Sequence, residues 1–342
     1  MTEQNINNFI KEYDYESIKE FLVDMSYGGR LDKELDGVFA FRGHSRSDYE
    51  LIPSVLRTDT PLMGIFNLGE NEDSFYQVYI EYILLGVFLN EINSQGLFIR
   101  EAERLWKSLC TNNFEYGWFF YREWIPDELY DLASLAQHYG LPTRLLDWSD
   151  DINIALYFAL SENIGKEKRA EKFAIWALNT EIINGKIKQR YKKYDLLPFY
   201  KDLPLKIIRP LYNNNPNLTA QQGLFTLWQI KGNPIKVEKQ KAYIYEGKVD
   251  RTPLDRLVSD YLGAREDYKA SSPVMYKFVV ELDDMNEGLK FLESNKCSAS
   301  YVFPGYYGAA RYCQHYLEKN KTILYNNKAA FGKTIDKLKS GK

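Results

Sequence analysis

The sequence predicts an α+β fold, with a small mixed or antiparallel sheet at its core, a large helical insertion and peripheral helices. Three observations predict it. Short apolar runs of strand length recur along the chain, at 38–41, 173–178, 224–228, 235–237, 242–245 and 274–282. They are separated by turns and by helical segments. Between the first two runs lies a long segment in which Phe75, Val78, Tyr82, Leu85, Leu89 and Ile92 recur in steps of three and four, the period of a helix.

Taken in order, 15–25 has Ile18, Phe21 and Leu22 on one helical face. The Gly28-Gly29 pair breaks it, and Val38-Phe39-Ala40-Phe41 follows as a short apolar strand ending in Arg42-Gly43-His44. An arginine directly after a buried strand sits at the end of a sheet, and Gly43 allows a ligand or another backbone to come close. The helical pattern from Ser74 stops at Gly96, and Phe98, Ala102, Leu105 and Leu109 resume the spacing, so 73–112 reads as a helical hairpin inserted between strands. After the central corner come a strand at 173–178, a strand through 220–228, two short strands, and a helix at 254–262. A strand at 274–282, a helix at 285–292 and a last helix holding His315 complete a single domain over 1–320. The lysine-rich 321–342 follows as a peripheral helical tail.

Composition limits the possibilities. Hydrophobic residues at 45% and charged residues at 27% are those of an ordinary soluble protein. A net charge of −3 argues against a protein that coats nucleic acid over its whole surface, yet leaves room for a local basic groove. The run from Lys186 to Tyr194 interleaves cations with Tyr191 and Tyr194. It reads either as a solvated helix face or as a grip on an RNA backbone. Three scattered cysteines and three histidines suggest neither a disulfide framework nor a zinc site, so no metal is expected. No apolar run approaches a membrane span and no leader is evident, which points to a reducing, microbial cytoplasm and to no membrane partner.

The chemistry gathers in 133–160. Helical spacing ends at Gly140-Leu141-Pro142, where proline biases the preceding residue away from helix. A second helical pattern then begins behind Ser149, the expected N-cap, with Asp150 and Asp151 in its first turn. Thr143, Arg144, Asp147, Trp148 and Ser149 would thus stand at a helix N-terminus suited to an anion, with His138 beside them. The plainer alternative is a structural corner in which Arg144 and Asp147 pair and Trp148 fills a gap. Elsewhere the usual signatures fail. Gly43-His44-Ser45-Arg46-Ser47 lacks the closing glycine of a nucleophile elbow. Gly332-Lys333-Thr334 has Asn327 in place of the first glycine of a phosphate loop.

Several motifs in order resemble the FRG-domain family. They are Phe41-Arg42-Gly43, Tyr49-Glu50-Leu51-Ile52-Pro53-Ser54, the string from Gln137 through Trp148, Ala155-Leu156-Tyr157-Phe158-Ala159, Gln221-Gln222-Gly223-Leu224-Phe225-Thr226, and Phe303-Pro304-Gly305 with Gly308. The layout in turn resembles the ADP-ribosyltransferases, which implies a split sheet and NAD as substrate. By that resemblance Arg42 and Gly43 form the first element, which holds NAD phosphate, ribose and nicotinamide amide. Asp147-Trp148-Ser149 with Ala155 forms the second. Gln222 stands in the third, where a glutamate is usual.

The expected catalytic residues are then Arg42, Gln222 and His138. The expected NAD contacts are Arg42, Gly43, His44, Thr143, Arg144, Asp147, Trp148 and Ser149. Asp147 or Glu246 would supply negative charge if Gln222 does not, and Trp148 could stack on nicotinamide. The resemblance implies an ADP-ribosyltransferase or NAD glycohydrolase, acting as a bacterial toxin or antiphage effector on nucleic acid or protein. An antitoxin or another defence component is the expected partner. The rival is a nucleotide- or partner-sensing module without chemistry.

Overall fold

In a computed structural model the described residues are 2–7, 9–35, 37–58, 73–111, 117–184, 203–211, 215–237, 240–265 and 273–339. The run from Lys186 to Tyr194 lies outside them. Twelve strands occur among the described residues: β1 (Thr2–Asn7), β2 (Ile10–Tyr15), β3 (Phe39–His44), β4 (Glu123–Trp124), β5 (Leu145–Ser149), β6 (Lys172–Asn179), β7 (Leu205–Ile208), β8 (Gly223–Trp228), β9 (Ile230–Lys231), β10 (Asn233–Val237), β11 (Gln240–Ile244) and β12 (Met275–Glu281). Eight of them form one open sheet in the order β1-β2-β12-β6-β3-β5-β8-β7, and four make two small ribbons, β10-β11 and β4-β9. The only parallel pair in the large sheet is β12 with β2; its other pairings are antiparallel. The protein is therefore α+β with a mixed sheet, as its sequence predicts, but that sheet is open and eight strands wide instead of small.

Alternation along the strands sends successive side chains to opposite faces, and both faces are covered. On one face two helical blocks sit side by side. Helices Ile18–Met25, Ile152–Ser161 and Met285–Ser294 pack on Tyr13, Phe39, Phe173, Ile175 and Phe278. Helices Ser74–Ser94 and Tyr130–His138 pack on Leu145, Phe225 and Leu227. The opposite face carries Ala40, Leu146, Trp148, Trp176 and Leu224 beneath Leu254 and Val258 of the Leu254–Gly263 helix. The two blocks part over the junction of β3 and β5.

That junction is the weak seam of the sheet. Whereas β3 pairs with β6 through six residues, it meets β5 only at Phe41 and Ser149. Gly43 is required here by packing: a Cβ on it would stand 1.9 Å from the carbonyl oxygen of Ala155. The close approach foreseen at this glycine is thus made by the backbone of the Ile152–Ser161 helix.

Local structure departs from expectation at several points. The first helix starts at Ile18, capped by Ser17, whose hydroxyl accepts from the Glu20 amide, and the preceding residues form the hairpin β1-β2. The second arm of the insertion is a short helix, Ala102–Trp106, running into a π-helical turn, Lys107–Thr111. The cap of the Ile152–Ser161 helix is Asp151, which accepts from the Asn153 amide at 2.8 Å; Ser149 instead ends β5. A short helix, Pro216–Ala220, precedes β8, so Gln222 lies in the turn before the strand.

Candidate active site

Where the two helical blocks part, a cleft of 710 Å³ opens onto the sheet seam. This is the size of a nucleotide or drug-sized ligand pocket. Its floor comes from β3 and β5 (Phe41, Arg42, Gly43, Asp147, Trp148, Ser149), and its walls from Gln137 to Gly140 on one side and Ile154, Ala155, Phe158 and Glu162 on the other. Asn217, Gln221, Phe303 and Tyr307 close the rest.

Arg42 organises the floor. Its side chain is only 15% exposed. Nη1 donates to the carbonyl oxygen of Asp147 at 2.6 Å, bridging the gap that the missing β3-β5 pairing leaves. Nε donates to His44 Nε2 at 3.1 Å. That bond fixes the imidazole: Nε2 must carry the lone pair, so Nδ1 carries the hydrogen and donates to the Tyr49 carbonyl at 3.2 Å. Burial, and then the Arg42 charge, hold His44 well below the ordinary histidine pKa, so it stays neutral and keeps this tautomer.

Both of these acceptors are neutral. The negative group nearest Arg42 is the Asp147 carboxylate, 3.5 Å from Nη1 and half exposed. Burial lowers the Arg42 pKa and Asp147 partly offsets that, but a guanidinium remains protonated throughout the physiological range. The result is a nearly buried cation, beside a half-exposed carboxylate, whose Nη2 makes no hydrogen bond among the described residues.

Three further groups complete the chemistry. Gln137 Nε2 donates to Asp147 Oδ2 at 2.8 Å and orients that carboxylate. Glu162, just past the Ile152–Ser161 helix, accepts from the Ser45 hydroxyl at 2.6 Å. Ser45 is itself buried and fixed by Asn163, whose Nδ2 donates to its carbonyl at 3.0 Å. His138 lines the wall; burial lowers its pKa while Asp147 pulls it back up, leaving it neutral near pH 7. Asn217 Oδ1 is buried without a partner among the described residues, on the cleft's own wall.

The expected site residues therefore divide. Arg42, Gly43, His138, Asp147, Trp148 and Ser149 converge on the cleft. Trp148 points its ring into the opposite core and donates Nε1 to Thr226 Oγ1 at 2.8 Å, so its indole is committed to packing instead of stacking on a ligand. Ser149 Oγ donates to the Gln221 carbonyl and accepts from the Asp151 amide, tying β5 to the next helix.

His44 stands behind Arg42 and does not line the cleft. Thr143 bonds Gln137 and Ser54 beneath the wall. Arg144 is buried elsewhere, paired with Glu81, so the proposed Arg144–Asp147 pair does not form. Gln222 is exposed, in a left-handed turn with φ 45°, and outside the cleft lining; its neighbour Gln221 lines it instead. Glu246 bonds Asn233 and is likewise outside the lining. Glu162 was missed, because nothing in its local sequence distinguishes it from any acid following a helix.

The molecule is thus an α+β protein with an open mixed sheet and an arginine-floored cleft at its seam. Residues 37–168 match the family model of the FRG domain. The match takes in Arg42, His138, Asp147 and Glu162, while Asn217, Gln221, Phe303 and Tyr307 lie beyond it. No curated protein and no solved structure matches the chain. Among the described residues no helix is long and apolar enough to cross a membrane.

Proposed function

We propose that the cleft binds NAD and breaks its nicotinamide–ribose bond, passing ADP-ribose to an acceptor or to water. The observation that carries this reading is Arg42, a nearly buried guanidinium hydrogen-bonded to two neutral acceptors, with the half-exposed Asp147 carboxylate at 3.5 Å, facing a 710 Å³ cleft with Nη2 unspent among the described residues. Its best complement is a polyanion such as a pyrophosphate, which would accept from Nη2 and compensate the charge. The orphan Asn217 Oδ1 is suited to the amide hydrogens of a nicotinamide.

Chemistry follows from the remaining groups. When the C1′–N bond breaks, the bonding pair leaves with nicotinamide and the ribose becomes cationic. Asp147 and Glu162, both on the cleft surface, are the carboxylates available to stabilise that cation. An incoming nucleophile bonds C1′ and releases its proton, which neutral His138 can accept. In a bacterial cell either NAD depletion or modification of a macromolecule would be damaging, which is the basis for regarding the protein as a toxin or antiphage effector.

The test is NAD labelled in its adenylate part, with nicotinamide release and label transfer both measured. Wild type is expected to release nicotinamide, and Arg42→Ala to lose the activity by about 10²–10³-fold, the range for removing one preorganised donor. One observation favours a second reading, a nucleotide-sensing module: Asp147 is already engaged by Gln137 and Arg42, and no carboxylate occupies the position expected of Gln222. NAD binding without nicotinamide release would select it. Absence of NAD affinity would remove both.

A further inference from the structure

Phe303 and Tyr307, on the cleft wall, have no task in NAD binding. From Phe303 and Tyr307 on that wall, the Tyr306–Lys319 and Lys321–Lys339 helices carry the chain onward. This region combines two features. The first is charge: residues 301–342 contain eight lysines and arginines against two acids, in a chain whose net charge is −3. The second is exposed rings. Tyr306 is 98% exposed and Tyr307 60%, and Tyr316, Tyr325 and Phe331 are each at least half exposed.

At one point ring and cation are in contact. At the cleft lip the Arg311 guanidinium stands 5.8 Å from the Tyr307 ring centroid, and its Nη1 donates to the Tyr307 hydroxyl at 3.1 Å. Tyr307 in turn packs edge-to-face on Phe303 at 5.3 Å, so the lip is a preset ring with a cation against it. Farther along, Lys321, Lys328 and Lys339 are exposed on the same helical segment as Tyr325 and Phe331. Opposite the lip, Tyr139, 63% exposed, lines the other rim.

Exposed rings interleaved with cations match one polymer well. In a single-stranded nucleic acid every residue offers a flat base to stack and a phosphate to pair. A duplex hides its bases, and an acidic protein would use the cations without requiring bare tyrosines. We propose that the two C-terminal helices form a binding surface for single-stranded nucleic acid, which delivers a base past Tyr307 into the cleft. The role of that base as acceptor rests on the NAD reading above. A nitrogen of the base would give its electron pair to C1′ as nicotinamide leaves with the pair of the broken bond, and would shed its proton to His138.

The surface can be tested without NAD. Fluorescence anisotropy of a labelled mixed-sequence 20-mer, as DNA and as RNA, would be measured with the full chain, alongside the corresponding duplex and polyglutamate. Single strands are expected to bind, and more tightly than the duplex. With about three phosphate contacts, affinity should fall about 20-fold between 50 and 200 mM salt. Tyr306→Ala combined with Tyr316→Ala should weaken binding about 10-fold or more, the loss of one stacked base. Lys321→Glu with Lys328→Glu, at exposed helix positions, should weaken it comparably. No NAD is present in this measurement, so its result stands apart from the fate of the NAD reading. No single-strand binding, equal binding of the duplex, or equal binding of polyglutamate would each overturn the proposal.

Discussion

Arg42 and Arg144 stand at comparable places, one near the end of β3 and one directly before β5, and both are withdrawn from water. Their surroundings differ in sign. Arg144 meets a full carboxylate: Nε and Nη2 bond the two oxygens of Glu81 at 3.0 and 2.8 Å, with both side chains at 6% exposure or less. Glu81 is further satisfied by Trp124 Nε1 at 2.7 Å and Gln77 Nε2 at 2.9 Å. Every charge there is answered inside the protein, so that arginine is architecture. Arg42 is answered chiefly by a ring nitrogen and a carbonyl, with its nearest carboxylate, Asp147, half exposed and Glu162 farther off across the cleft. The deficit faces the cleft. Burial of an arginine is thus a poor guide to function, and what tells the two apart is whether the compensating charge is internal.

The largest effect expected from this contrast is on stability at the closed site. Arg144→Ala or Glu81→Ala strands a buried charge and should cost about 3–5 kcal/mol, read as a lowered midpoint in urea. At the open site Arg42→Ala should instead cost turnover, about 3–4 kcal/mol in the barrier to nicotinamide release, with a smaller loss of stability. If both variants destabilised equally and neither changed NAD handling, the contrast would collapse.

Two smaller effects sharpen it. His44, His138 and His315 all have pKa values depressed by burial, His315 to about 4. For a depressed base the unfolded state binds the proton first, so stability is full above the unfolded value near 6.5. It is then lost as pH falls toward the folded value, by about 1.4 kcal/mol per pH unit for each group. Melting between pH 7 and 5 should show that decline, and His315→Gln should flatten it. The smallest effect concerns orientation. His44→Leu removes the acceptor that aims Arg42 and should weaken NAD binding about tenfold, equivalent to about 1.4 kcal/mol, leaving a guanidinium in place. His44→Asn, which retains a side-chain acceptor, should recover part of it.

Much of the cleft was legible in the sequence because its parts are local. An apolar tetrad ending in Arg42-Gly43, and a Gly-Leu-Pro break before Asp147, mark strand ends whatever the tertiary structure. The mixed α+β class followed from strand-length runs around one long helical period. What stayed hidden depends on partners distant in sequence. Arg144 could not be told from a ligand-binding arginine until Glu81, 63 residues earlier, was seen beside it. Glu162 needed Ser45, 117 residues away. The exchange of Gln222 for Gln221 is a matter of one residue of register. The Pro216–Ala220 helix and the left-handed turn after it decide which side chain enters the cleft, and propensity does not resolve that. Asp151 displaced Ser149 as cap because both are good caps, and the tertiary pairing of Ser149 with Phe41 extends β5 through it.

The central claim is that Arg42 carries charge meant for a ligand, and titration calorimetry of ADP-ribose against wild type, Arg42→Ala and Arg42→Lys tests it most directly. Measurable binding to wild type is expected, weakened about a hundredfold in the alanine variant and only partly restored by lysine, which keeps the charge but not the fork of donors. Equal affinity in all three proteins, or none in wild type, would contradict it.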